Sequence, residues 1–98
     1  MKLAFEWDKA KASDNYKKHG VRFEFAVKVF EDPFALEFLD DREEYVEERF
    51  ILIGKAENNL LFVVYTERAE RIRLISARKA TRNEHEYYLQ ENIETGRR

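Results

Sequence analysis

The chain has no cysteine, one proline, three glycines and two histidines in 98 residues. Without cysteine there is no disulfide scaffold, thiolate zinc site, iron–sulfur cluster or thiol nucleophile, and the chain suits a reducing compartment. So little glycine and proline argues against a loop-dominated fold. There is no Gly-rich phosphate loop and no GxSxG elbow. Long apolar runs are missing too: the longest, Leu60–Tyr65, falls far short of the ~20 residues of a membrane helix. Met1–Asp8 has no apolar core of signal-peptide length. The expectation is a cytoplasmic protein with no membrane partner.

Charge is abundant: 39% of residues are charged, yet the net charge is only -2. With 44% hydrophobic and 14% aromatic residues, the composition is that of a folded chain. The length fits one domain over residues 1–98, burying roughly two-thirds of the surface its unfolded chain exposes. A near-zero net charge argues against nucleic acid as a partner, but it is an average. Residues 1–30 hold seven Lys/Arg and four Asp/Glu, residues 31–70 hold four and twelve, and residues 71–98 hold seven and four. Two basic ends flank an acidic middle. If the ends meet in space, a basic surface exists inside a mildly acidic protein. The plain alternative is a mixed charged coat on a small soluble domain.

Local patterns predict the elements. Leu3–Trp7 is a short strand. Asp8 is a helix N-cap, and Lys9–His19 is a helix ended by Gly20 after a basic last turn. A second helix is expected over Arg22–Glu31, with Phe23, Ala26, Val27 and Phe30 as its core stripe and Pro33 closing it. Strands follow at Phe34–Leu39, Arg49–Gly54, Leu60–Thr66 and Arg71–Ala77. They are separated by an acidic connection (Asp40–Glu48), a turn at Glu57-Asn58-Asn59 and a reversal at Glu67–Glu70. Thr81 and Glu84 form a capping box that opens a final helix to about Ile93, with Tyr87, Leu89 and Ile93 as its apolar contacts. Residues 95–98 are expected to fray. The predicted class is α+β: a small single domain with an antiparallel sheet, two N-terminal helices and one C-terminal helix.

Several stretches in this order resemble the BrnT family of bacterial toxins. They are Phe5-Glu6-Trp7-Asp8, Lys18-His19-Gly20-Val21 with Phe23-Glu24 and Ala26, and Val29-Phe30 with Asp32-Pro33. Further on come Glu48-Arg49, Ile53-Gly54, Val64-Tyr65-Thr66-Glu67-Arg68, and Ile75-Ser76-Ala77-Arg78-Lys79-Ala80-Thr81 with Glu84. The resemblance implies a RelE-like fold and a metal-independent endoribonuclease that needs no cofactor and blocks translation. It also implies a BrnA-type antitoxin, through whose DNA-binding domain the complex reaches DNA. Scaffolds of this kind also host inhibitors that act by occlusion, so a non-catalytic protein binding RNA or another protein is the alternative.

Metal-free RNA cleavage uses the ribose 2′-OH as nucleophile. It needs a proton acceptor, cationic donors for the phosphoryl transition state and an acid for the departing 5′-oxygen. The basic ends offer candidates. His19 is the only histidine in a matching stretch, and imidazole titrates near neutrality; the same residue also serves as a helix-end cap. Lys18 is a phosphate-binding cation or a solvated lysine. Arg78 lies at a strand end just before a helix, a good place for a forked phosphate-binding guanidinium, against a plain salt bridge. Lys18, His19 and Arg78 form the candidate catalytic set. Arg49, Arg73, Lys79, Arg82 and Tyr88 form the candidate RNA-binding set; Tyr88 stacks a base or packs its helix on the sheet. No metal site is expected: His19 and His85 lack ligand spacing, and Asp40, Asp41, Glu43 and Glu44 lack the glycine and closing Glu of a calcium loop.

Overall fold

A computed structural model describes residues 3–94 of the chain; the tail expected to fray, 95–98, lies outside them. The elements are β1 (Phe5–Glu6), α1 (Lys9–His19), α2 (Phe23–Ala26), a 3₁₀ helix (Val27–Glu31), β2 (Leu36–Leu39), β3 (Phe50–Ala56), β4 (Asn59–Arg68), β5 (Arg71–Lys79) and α3 (Arg82–Glu94). One sheet runs in the order β1-β5-β4-β3-β2. Strands β2 to β5 pair antiparallel with their chain neighbours, β3 to β5 through two-residue hairpins and β2 to β3 through the longer acidic loop. β1 joins the outer edge of β5 in parallel, Phe5 opposite Ile72. The α+β class is as expected, with this one parallel edge strand added to the antiparallel sheet.

Helix α1 is defined by its ends more than by its core. The Asp8 carboxylate accepts from the Lys11 N–H at 3.0 Å. Gly20 takes φ 71° and donates its N–H to the Tyr16 carbonyl at 2.8 Å, the left-handed stop that glycine adopts cheaply. The buried residue of α1 is Asn15, a polar side chain.

The second helix differs from expectation. It makes one α turn and then tightens into the 3₁₀ helix. Phe23, Ala26 and Val29 are buried, while Val27 and Phe30 of the expected stripe are only partly so. A spacing of three residues lines up on the three-residue turn of a 3₁₀ helix. Gly54 of β3 lets this segment lie close: a Cβ there would stand 3.0 Å from the Ala35 Cβ and 3.3 Å from the Val29 carbonyl oxygen.

Each face of the sheet has its own core. On one, Phe23, Ala26 and Val29 pack over Leu52, Leu61, Val63 and Leu74. On the other, Tyr88 of α3 packs over Ile51, Ile53, Phe62 and Val64. β4 lies between β3 and β5 and is buried from Leu60 to Thr66, hence its unbroken apolar run.

The packed face of α3 corrects the sequence reading. Tyr88 and Asn92 are buried, one and two turns beyond Glu84, whereas Tyr87, Leu89 and Ile93 are 45%, 57% and 62% exposed. The Tyr88 hydroxyl donates to Asp32 at 2.7 Å. Asp32 also accepts from the backbone N–H groups of Phe34 and Lys55, which ties α3, β3 and the turn before β2 together.

Both long hairpins turn through left-handed residues that are not glycine. Glu57, not Asn58, carries φ 56° between β3 and β4. Ala69 and Glu70 carry φ 51° and 68° between β4 and β5, a two-residue loop usually served by Asn-Gly.

Candidate functional site

The basic ends do meet. β1 is too short to cover the outer edge of β5 beyond Arg73. Further along, the Asn15 side chain takes its place: its amide donates to the carbonyls of Ala77 at 2.9 Å and Val21 at 3.0 Å, and its oxygen accepts from the Ala77 N–H at 3.0 Å. A carboxamide carries both a donor and an acceptor, so it can stand in for a neighbouring strand. Asn15 thereby holds the basic last turn of α1 against the basic strand β5.

Two depressions include residues of β5 on the side of Ser76 and Arg78. The first, about 200 Å³, is lined by Lys11, Asp14, Asn15, Lys18 and His19 of α1 and by Ile75 and Ser76 of β5. Lys18 and His19 are exposed and make no ion pair among the described residues.

The second is a groove of about 400 Å³ between β2, β3, β4 and the start of α3. Phe62, Ile51 and Ile53 line it together with Arg78, Arg42, Asn83 and Glu84, and the neighbouring rings of Phe38 and Tyr87 meet edge-on at 6.3 Å. Arg78 is tightly held there. Its two terminal nitrogens bond the two Glu84 oxygens at 2.9 Å each, one of them also donates to the Lys79 carbonyl, and the guanidinium lies 3.9 Å from the centre of the Phe62 ring. Three of its five N–H donors are used, which leaves two for a ligand. Arg42 leans over the same ring at 5.5 Å and is paired through two bonds with Asp40.

Both carboxylates are anchors for these cations. Burial pushes the Glu84 carboxyl up, but bonds from Arg78 and the Thr81 N–H outweigh it and hold it below the usual range. The Arg42 guanidinium holds the fully covered Asp40 carboxyl below that range, against its burial. A depressed carboxylate is a poor base, so neither is suited to take a proton at neutral pH. Glu84 also completes the expected capping box, its N–H donating to the Thr81 hydroxyl at 3.2 Å.

Ser76 and Arg78 stand two residues apart on β5, opposite Val64 and Phe62. By strand alternation they share a face, roughly 7 Å apart. The depression beside His19 and the groove beneath Arg78 are therefore neighbours along one strand.

The other candidates scatter. Arg73 is tied to Glu6 at 3.1 Å, beside β1. Arg49 stacks on the Tyr45 ring at 4.2 Å, and its buried Nε has no hydrogen-bond partner among the described residues; it lines a third depression on the acidic loop. Lys79 and Arg82 are exposed, without ion pairs among the described residues. Tyr88 is 5% exposed and its hydroxyl is bonded to Asp32, so it has no open face for a base; packing is its role. The groove contains instead Tyr87, Asn83 and Arg42, which the sequence reading passed over. A signal existed for Tyr87: Glu84 faces Arg78, so the helical period turns Tyr88 the same way and leaves Tyr87 beside the groove. Arg42 sat unnoticed in an acidic run.

Among the described residues, no three His, Cys, Asp or Glu side chains gather where they could hold a metal ion, and no helix is long and apolar enough to cross a membrane. No curated protein matches the chain. A family model described as the ribonuclease toxin BrnT of type II toxin–antitoxin systems matches residues 7–84. That match takes in α1, the whole sheet from β2 to β5 and the Arg78–Glu84 clamp, and the chain belongs to the BrnT family of ribonuclease toxins.

Proposed function

We propose that this chain is a cytoplasmic, metal-independent endoribonuclease on a RelE-type scaffold, which blocks translation and is neutralised by a BrnA-type antitoxin carrying the complex's DNA-binding domain. The observation that carries the chemistry is the fixed Arg78 guanidinium, two residues along β5 from the depression of Lys18 and His19. RNA lies across this face with the scissile phosphate at Arg78. A guanidinium already oriented by Glu84 and Phe62 stabilises the crowded phosphoryl group without reorganising at the moment of reaction. His19 takes the 2′-OH proton as that oxygen attacks phosphorus and returns it to the 5′-oxygen whose bond to phosphorus breaks, and Lys18 offsets phosphate charge beside it. Arg42 supplies a second cation over Phe62, and Lys79 and Arg82 hold flanking phosphates. Arg49 and Arg73 lie further out and contribute charge alone.

The test is cleavage of naked RNA by antitoxin-free protein in buffer with a chelator. Cleavage that Arg78→Ala abolishes is the expected result. Intact RNA, bound or unbound, would sink the nuclease assignment; tight binding without turnover would point to occlusion instead.

A further inference from the structure

The two edges of the sheet are treated differently. At β5 the open edge is covered by β1 and then by the Asn15 carboxamide. At the opposite edge β2 ends the sheet, paired on one side only among the described residues. Edge strands are commonly protected by lysine, proline or a bulge. Leu36-Glu37-Phe38-Leu39 has none of these and is guarded by its shortness and Glu37 alone, while Phe38 and Leu39 are 38% and 51% exposed. The chain then enters the acidic loop, where Val46 is fully exposed. From Glu37 to Glu48 there are seven carboxylates and one arginine.

We infer that the β2 edge is the docking site of an extended, basic segment of the antitoxin, which adds a strand beside β2 and sets Lys or Arg side chains against the loop carboxylates. This rests on the toxin assignment above. The physical case has three parts. An unpaired edge supplies main-chain donors and acceptors for a strand. The exposed Phe38, Leu39 and Val46 supply apolar anchors. Arg42 and Arg68 pair with two of the seven carboxylates, Asp40 and Glu47, and the negative charge that remains selects a cationic occupant. The same charge disfavours a second copy, because two such edges would bring carboxylates face to face, and it repels RNA. Leu39, Asp40 and Asp41 line both the Arg78 groove and the loop depression. A segment seated there roofs the groove, so binding at the edge and silencing of the site become one event.

The test is hydrogen exchange of residues 36–39 in the full chain, alone and in complex with its co-expressed antitoxin, together with affinity measured for Glu43→Lys/Glu44→Lys. The expected result is slowed exchange in the complex, affinity at least tenfold weaker in the double variant, and affinity that falls steeply with salt. RNA cleavage by the free variant stays at the wild-type rate. Binding with no protection at 36–39 and no response to charge reversal overturns the docking site and leaves the nuclease assignment standing. Protection that arises at the same protein concentration without antitoxin assigns the edge to self-association and also overturns it. If the free wild-type protein fails to cleave RNA, the fault lies with the functional assignment, which the exchange data do not touch.

Discussion

Two cationic regions lie along β5, and they are built on opposite principles. Arg78 is clamped: two bonds to Glu84, one to a carbonyl, a ring beneath it, and 30% side-chain exposure. Lys18 and His19 stand exposed on the last turn of α1, placed by the helix end and by Asn15 behind them. The contrast separates two needs of phosphoryl chemistry. A charge that stabilises a transition state works best when its position is settled beforehand. A group that gives and takes a proton needs access and the freedom to adjust.

Removing the clamped cation is expected to do the most damage. Arg78→Ala should slow RNA cleavage by about 10³-fold, measured as initial rate on a short RNA, with a modest fall in Tm because Glu84 loses its partner. Arg78→Lys should recover only a small part, because an ammonium cannot form the forked pair with Glu84. A fully active Arg78→Ala protein would remove the groove from the mechanism.

His19→Ala should cost on the order of 10²-fold in kcat, and Lys18→Ala should act mainly on KM. If His19→Ala raises KM alone, the depression beside α1 is a binding surface and its proton-transfer role falls. Both Arg78→Ala and His19→Ala should relieve growth arrest at matched expression.

Asn15→Ala leaves the buried N–H and carbonyl of Ala77 without partners. It should cost about 2–3 kcal/mol in urea denaturation. Its effect on cleavage should follow that of His19→Ala, because it frees the end of α1, and spare the Arg78 clamp.

Acid should act on the clamp. The Glu84 and Asp40 carboxyls sit below their usual range in the folded protein. Their stabilising contribution is complete above the ordinary carboxylate range and is lost as pH falls through the depressed folded values. Stability should therefore fall on acidification below about pH 4–5, and Glu84→Gln should flatten that slope. An unchanged slope in Glu84→Gln would show that the pair carries little linkage.

The smallest effect lies away from both regions. Ala69→Asn with Glu70→Gly suits the left-handed turn and should stabilise by about 1 kcal/mol in chemical denaturation, with cleavage unaltered.

Much of the frame was legible locally. Asp8, Gly20 and the Thr81–Glu84 box each act within one helical turn, so their residue types declared them. Hairpins between β3, β4 and β5 followed from the same kind of short-range signal. The rest depends on distant contacts. The parallel pairing of Phe5 with Ile72 has no local mark. The close approach of the second helix to β3 depends on the missing side chain of Gly54. In the candidate site, the place of Arg78 near a strand end and the basic stop of α1 were legible. Arg42 was hidden by the acids around it, and Tyr87 and Tyr88 exchanged roles because one residue of helical rotation separates a buried ring from an exposed one.

The bonds between Asn15 and Ala77 span 62 positions of the chain. Closing so long a loop is slow and cannot begin before both ends exist. On a growing polypeptide, the turn that carries Lys18 and His19 is made well before the strand it docks on. Until residue 77 has been synthesised and β5 has joined β4, the two cationic regions are not neighbours. A chain whose β5 is not yet in place thus lacks the juxtaposition on which the proposed site depends.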